Sequence, residues 1–167
     1  MSIKTLFRSM LTAVALSLAL ASSPALAQDP GDDRFTESGK TKTPPFGIPD
    51  GIVEDMGGEA GINAWVQALF HYILLDYRIA PIFNEFGHIE RQIALNTQLE
   101  QRVLGKGNEY MGASMAAAHA DLQITMEEFN AVVEAAYNAC ERVNYHYYEC
   151  NQLIAALAPF TFDIVTN

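Results

Sequence analysis

The chain has 167 residues, 20 of them acidic and 10 basic, for a formal net charge of −10. Half of its residues are hydrophobic, enough for one buried core. The acidic excess argues against nucleic acid and anionic membrane surfaces as partners, because both select basic patches.

Residues 1–27 read as a secretory leader. Lys4 and Arg8 form a basic start, an apolar run extends from Leu11 to Ala21, and Ala25 and Ala27 place small residues at the cleavage positions. The run is too short for an ordinary membrane span, and no cysteine sits at the cleavage point to carry a lipid. Two of the basic residues and none of the acidic ones lie in this leader, so its removal leaves a net charge of −12. Export is therefore expected, with the periplasm as destination and no stable membrane insertion. Residues 28–50 carry Pro30, Pro44, Pro45, Pro49, Gly31, Gly39 and Gly47 among few large apolar groups, the composition of a flexible linker. The folded domain is expected over residues 51–167.

Within that domain the apolar spacing is helical, and no stretch alternates like a strand, which makes the fold class all-α. Ile62, Trp65, Val66, Leu69, Phe70 and Ile73 form one stripe. Ile89, Ile93, Asn96, Leu99 and Val103 form a second, in which an amide interrupts an apolar face. A third runs through Phe129, Val132, Val133, Ala136, Tyr137, Cys140 and Val143, and a fourth through Cys150, Leu153, Ile154, Leu157 and Ala158. Breaks fall at Gly57 and Gly58, around Pro81, between Gly105 and Gly107, and around Asn144. Thr125 and Glu128 have the spacing of a capping box, with Ile124 and Phe129 as a hydrophobic staple. The chain is thus expected to turn sharply after His119, pressing the short segment that carries it against the next helix.

The four histidines, His71, His88, His119 and His146, do not pair at metal-binding spacing, and there is no C-x-x-C-H motif. A zinc site is poorly supported, and a lone histidine is ordinarily a surface or hydrogen-bonded core residue. One histidine does suffice for haem, because the porphyrin supplies the other four nitrogens. Ala116 to Ala118 allow close approach of a neighbouring surface beside His119, although alanine is also simply a good helix former.

Several fragments together resemble the truncated haemoglobins of group 1: Gly57 to Ile62, "LLDYRIAPIF" from Leu74, "GKGNEYMG" from Gly105, "MAAAH" ending at His119, "ITMEEF" from Ile124 and the closing "LIAALAP" and "DIVT". Each is weak alone; their order and spacing are specific. The resemblance implies a two-over-two helical sandwich enclosing b-type haem, with His119 as the proximal iron ligand and Phe83, Tyr110 and Met115 as cofactor contacts. It places Phe70, Tyr72, Gln92 and Asn96 around the distal ligand pocket. Two departures from the family pattern stand out. Phe70 occupies the position where the family often has a tyrosine, with His71 and Tyr72 following, so a shifted helix would bring either of those toward the iron. Glu100 stands where an aromatic is usual, which alters the apolar route to the haem.

Cys140 and Cys150 lie on either side of the turn near Asn144. Export makes a disulfide between them chemically feasible, while their places on apolar stripes suit free cysteine as core filler; both readings stand. The resemblance implies reversible binding of dioxygen, nitric oxide or carbon monoxide at pentacoordinate haem iron. It also admits a nitric oxide dioxygenase dependent on an external reductase, since the chain carries no reductase domain. A cofactor-free helical interaction module, with His119 merely packed, is the third reading.

Overall fold

Gly57 and Gly58 both take left-handed backbone, with φ of 88° and 66°. This turn joins α1 (Ile52–Asp55) to the long α2 (Gly58–Leu75). At Gly61 a side chain would collide with the carbonyl of Met56, so the absence of one lets the two helices meet closely. The same carbonyl accepts the hydroxyl of Tyr145 at 3.1 Å, tying the start of α2 to a turn far along the chain.

A computed structural model describes residues 48–106 and 110–167. The leader at 1–27 and the linker up to residue 47 lie outside the described residues. Ile48, which composition assigns to the linker, packs against the core instead. After α2 come α3 (Ala80–Phe86), α4 (Ile89–Val103), α5 (Met115–His119), α6 (Met126–Arg142) and α7 (Tyr147–Leu157). A 3-10 turn (Ala158–Phe160) and α8 (Thr161–Ile164) follow. Pro81 sits in the first turn of α3, where its missing N–H costs nothing, and so starts a helix. Among the described residues there is no strand, and no helix is long and apolar enough to cross a membrane.

Helices α2 and α4 form one packed pair and α6 and α7 the other, with α2 lying most extensively along α6 and α4 touching α7. All six residues of the expected α2 stripe are buried. The α6 face differs from expectation. Its buried line is Ala131, Ala135 and Ala139 with Ala136 and Cys140, whereas Val132 and Val133 are half-buried and Tyr137 is 40 % exposed. Three alanines at spacings of four present a shallow ridge, which brings α6 close to the bulky face of α2. The indole of Trp65 reaches across to donate to Sγ of Cys140 at 3.3 Å.

Asn144 turns the chain with a φ of 58°, and Cys140 and Cys150 are bonded across the turn, their α-carbons 5.9 Å apart. Elsewhere Asn63 on α2 donates to Thr97 on α4 at 3.0 Å, and Arg78 bridges Asp76 to Glu134 on α6. The C-terminal segment holds the far end of the short α5: α8 packs on it, and the N–H groups of Thr166 and Asn167 donate to the carbonyl of Ile124.

Candidate functional site

Helix α5 is only five residues long and owes its form to its two ends. Ser114 caps it, accepting the N–H of Ala117 at 3.1 Å, and three alanines supply high helix propensity. Just beyond it, Thr125 N donates to Glu128 at 2.8 Å while Thr125 Oγ1 accepts the N–H of Glu128 at 3.2 Å, the reciprocal box that starts α6. Between these anchors His119 is half-buried, and its Nδ1 lies 2.7 Å from the carbonyl oxygen of Met115. A carbonyl can only accept, so Nδ1 carries the proton and Nε2 keeps its lone pair. Burial lowers the imidazole pKa from its ordinary value, against a smaller opposing effect of the Met115 bond, which keeps the ring neutral.

On α4 three polar side chains follow one another a turn apart. Gln92 holds its Oε1 buried with no hydrogen-bond partner, and its amide nitrogen lies where a side chain on Gly87 would be. Asn96 is half-buried, with one amide hydrogen donated to the backbone carbonyl of Gln92 at 2.9 Å. Glu100 is 1 % exposed, its Oε2 has no partner, and burial pushes its carboxyl up to about 8.

The remaining expected residues fall around these two helices. Phe70 is buried on α2 and meets the ring of Phe83 edge-to-face, 5.7 Å between centroids. Tyr72 is half-buried and stacks at an angle on His71, which is itself exposed and so does not approach an interior site. Tyr110 is buried, folded over Gly112 where a side chain would collide with its phenol. Burial pushes that phenol up to about 12. Met115 is half-buried, as are Phe83, Ile89, Ile93 and Leu95, all packed against the core with part of their surface left open.

Two supporting residues escaped the sequence reading. Ser114 had a signal, a serine directly before a helix-forming run. Gly87 had none beyond being a glycine, because what it provides is space for Gln92, and the need for space appears only in three dimensions; Gly112, which closes the "GKGNEYMG" fragment, gives the same kind of space to Tyr110.

No family model matches the chain. It is similar to the group 1 truncated haemoglobin of Tetrahymena thermophila, 29 % identical over 83 residues, which is 50 % of this chain and 68 % of that protein. The group 1 truncated haemoglobin of Tetrahymena pyriformis is also 29 % identical, over 86 residues, 52 % of this chain and 70 % of that one. Among solved structures, the truncated haemoglobin of Tetrahymena pyriformis in its Fe(III) form superposes with a TM-score of 0.65 at 22 % identity, covering 70 % of this chain and 98 % of that one. The 2/2 haemoglobin of Synechococcus sp. PCC 7002, in the cyanomet state with covalently attached haem, gives the same score and coverage at 20 % identity. The chain therefore has the truncated-haemoglobin fold, and in sequence it resembles the group 1 members of that family.

Proposed function

We propose that the protein binds haem b through His119 and uses it to bind small diatomic gases reversibly. The observation that carries this reading is the contact between Nδ1 of His119 and the Met115 carbonyl, which sets the ring's orientation and leaves the Nε2 lone pair available as a donor. A second-nitrogen partner of this kind is what metal-ligating histidines ordinarily have. The residues present fit a haem in other respects too. Phe83, Met115, Ile89 and Ile93 offer apolar surface that the protein alone leaves half-covered, and Gln92 aims a polar atom inward without a partner.

In this reading His119 holds the iron, Phe83, Tyr110 and Met115 contact the porphyrin, and Phe70, Tyr72, Gln92 and Asn96 shape the opposite side. Haem when bound supplies a ferrous centre for dioxygen, nitric oxide or carbon monoxide. The apolar residues exclude water from that centre, and the amides of Gln92 and Asn96 offer the hydrogen-bond donors. Phe70 offers none. The leader composition and the Cys140–Cys150 bond support export to an oxidising compartment, the periplasm. Oxidation of nitric oxide to nitrate by the same centre would need an external reductase.

The test is purification followed by optical spectroscopy. A strong haem band that is lost in His119→Ala is the expected result. A colourless protein that takes up no added haemin would overturn the proposal.

A further inference from the structure

Glu100 is the most thoroughly buried ionisable side chain on the inner faces of α2 and α4, and nothing in the reading above uses it. It lies on α4 one helical turn, about 5.4 Å along the axis, beyond Asn96. Its Oε2 lies inside the protein without a partner, and two turns back Gln92 has an orphaned acceptor of its own. Unpaired buried oxygens are costly, and a protein retains them where a proton, a water or a ligand completes them.

Among the described residues, α2 and α7, the helices packed against α4, carry no arginine or lysine to hold it charged. Helix α2 contributes Glu59 and His71, both exposed, and the half-buried Tyr72. Helix α7 contributes the exposed Tyr147 and Tyr148, and Glu149, which also has a buried unpartnered oxygen. On α4 itself are Glu90, Arg91 and Arg102. The charges of Arg102, Glu100 and Arg91 all act on the buried phenol of Tyr110, whose own shift comes first from burial. Desolvation alone raises the Glu100 carboxyl, to about 8, so burial favours its neutral, protonated form.

Resting on the haem reading above, we propose that Glu100 is a proton-binding site linked to the oxidation state of the bound iron. Ferric porphyrin carries one more positive charge than ferrous, and in a low-dielectric interior that charge favours the Glu100 carboxylate. When an external one-electron donor reduces the iron, the charge disappears and the carboxylate takes one proton from solvent onto Oε2. Oxidation returns both the electron and the proton. Asn96 and Gln92 continue the polar row along the same helix, one and two turns back from Glu100.

The test is a spectroelectrochemical titration of the haem-loaded protein over a pH series that spans 8. The midpoint potential is expected to fall as pH rises through the window below that value, by up to about 59 mV per pH unit, the equivalent of a tenfold change in equilibrium per unit. In Glu100→Gln the slope in this window is expected to vanish. Equal slopes in the two proteins overturn the proposal and leave haem binding intact, whereas a protein that takes up no haem overturns both. An infrared redox difference spectrum of the unmodified protein gives a second reading should the variant not fold. A protonated-carboxyl carbonyl band that grows on reduction and shifts in D2O is expected, and its absence overturns the proposal.

Discussion

The indole N–H of Trp65 on α2 donates to Sγ of Cys140 on α6, 3.3 Å away, and that sulfur is bonded to Cys150 on α7. Three helices from both layers of the sandwich therefore converge on one buried point, with Trp65 fully enclosed and both cysteines 3 % exposed. The bond also closes the turn at Asn144, a separation of ten residues. In the chain-entropy account a loop of that length stabilises by about 3 kcal/mol.

The double variant Cys140→Ala, Cys150→Ala is accordingly expected to lose about 3 kcal/mol of unfolding free energy in urea. Trp65 fluorescence of the haem-free protein should change as well, because the sulfur facing the indole has gone. A midpoint unchanged from the parent would show that the bond contributes nothing to the fold.

The alanine line on α6 gives a prediction of opposite form. Ala139 is fully buried where α6 meets α2, so Ala139→Leu inserts a large side chain into filled space and is expected to cost about 1 to 3 kcal/mol. Tyr137, which spacing alone assigns to the core, is 40 % exposed and donates its hydroxyl to Asn151 at 3.2 Å. Its replacement by alanine should fall within about 0.5 kcal/mol of the parent. Thermal or chemical unfolding of the two variants, measured together, checks the rotation of the helix directly.

That rotation shows where sequence reasoning succeeds and where it stops. The α2 stripe was legible because it is made of large residues at helical spacing, and the Thr125 box because capping is local chemistry between residues three apart. The α6 face was not, since alanine has too little hydrophobicity to announce itself, and its selection depends on the bulk of the facing helix. The sharp turn after His119 was legible from the Thr125 start signal, but its candidacy as a ligand rests on the family resemblance, since a lone histidine in an apolar helix carries no chemistry of its own. The polar row on α4 was only half legible. Asn96 stands out as an amide in an apolar stripe, but the use of its donor by the Gln92 carbonyl depends on a rotamer that no pattern reports.

The buried carboxyl of Glu100 makes stability depend on pH with a definite sign. Its folded value, about 8, lies above the 4.5 of an ordinary glutamate, so between those values the folded protein holds a proton that the unfolded chain has released. Stability is then expected to fall as pH rises through this window, by on the order of 3 to 5 kcal/mol across its width. Glu100→Gln removes the titration. Compared with the parent, that variant should be similar near the acid end and clearly more stable at the alkaline end, as urea unfolding at the two extremes would reveal. A stability difference independent of pH would mean that Glu100 is charged, or solvated, in the folded protein.

The last prediction separates the two amides of α4. Asn96 already spends one N–H on the Gln92 carbonyl, which fixes its orientation along the helix rather than across it. Gln92 faces the interior with a buried, unpaired oxygen, and its nitrogen rests against Gly87. A half-turn of the amide plane exchanges these two atoms and turns an N–H inward, at little steric cost, because the two groups are nearly the same size. Gln92 is therefore the freer donor toward a gas bound in the haem site. A hydrogen bond to a charged acceptor contributes about 1.5 to 3 kcal/mol. Gln92→Leu is accordingly expected to speed dioxygen dissociation by roughly 10- to 150-fold, with Asn96→Leu giving the smaller increase. Stopped-flow measurement of dissociation from the two variants decides the order. A larger effect at Asn96 would mean that its helix-directed bond breaks when ligand arrives, and that the amide bonded to the Gln92 carbonyl is the one that reaches the gas.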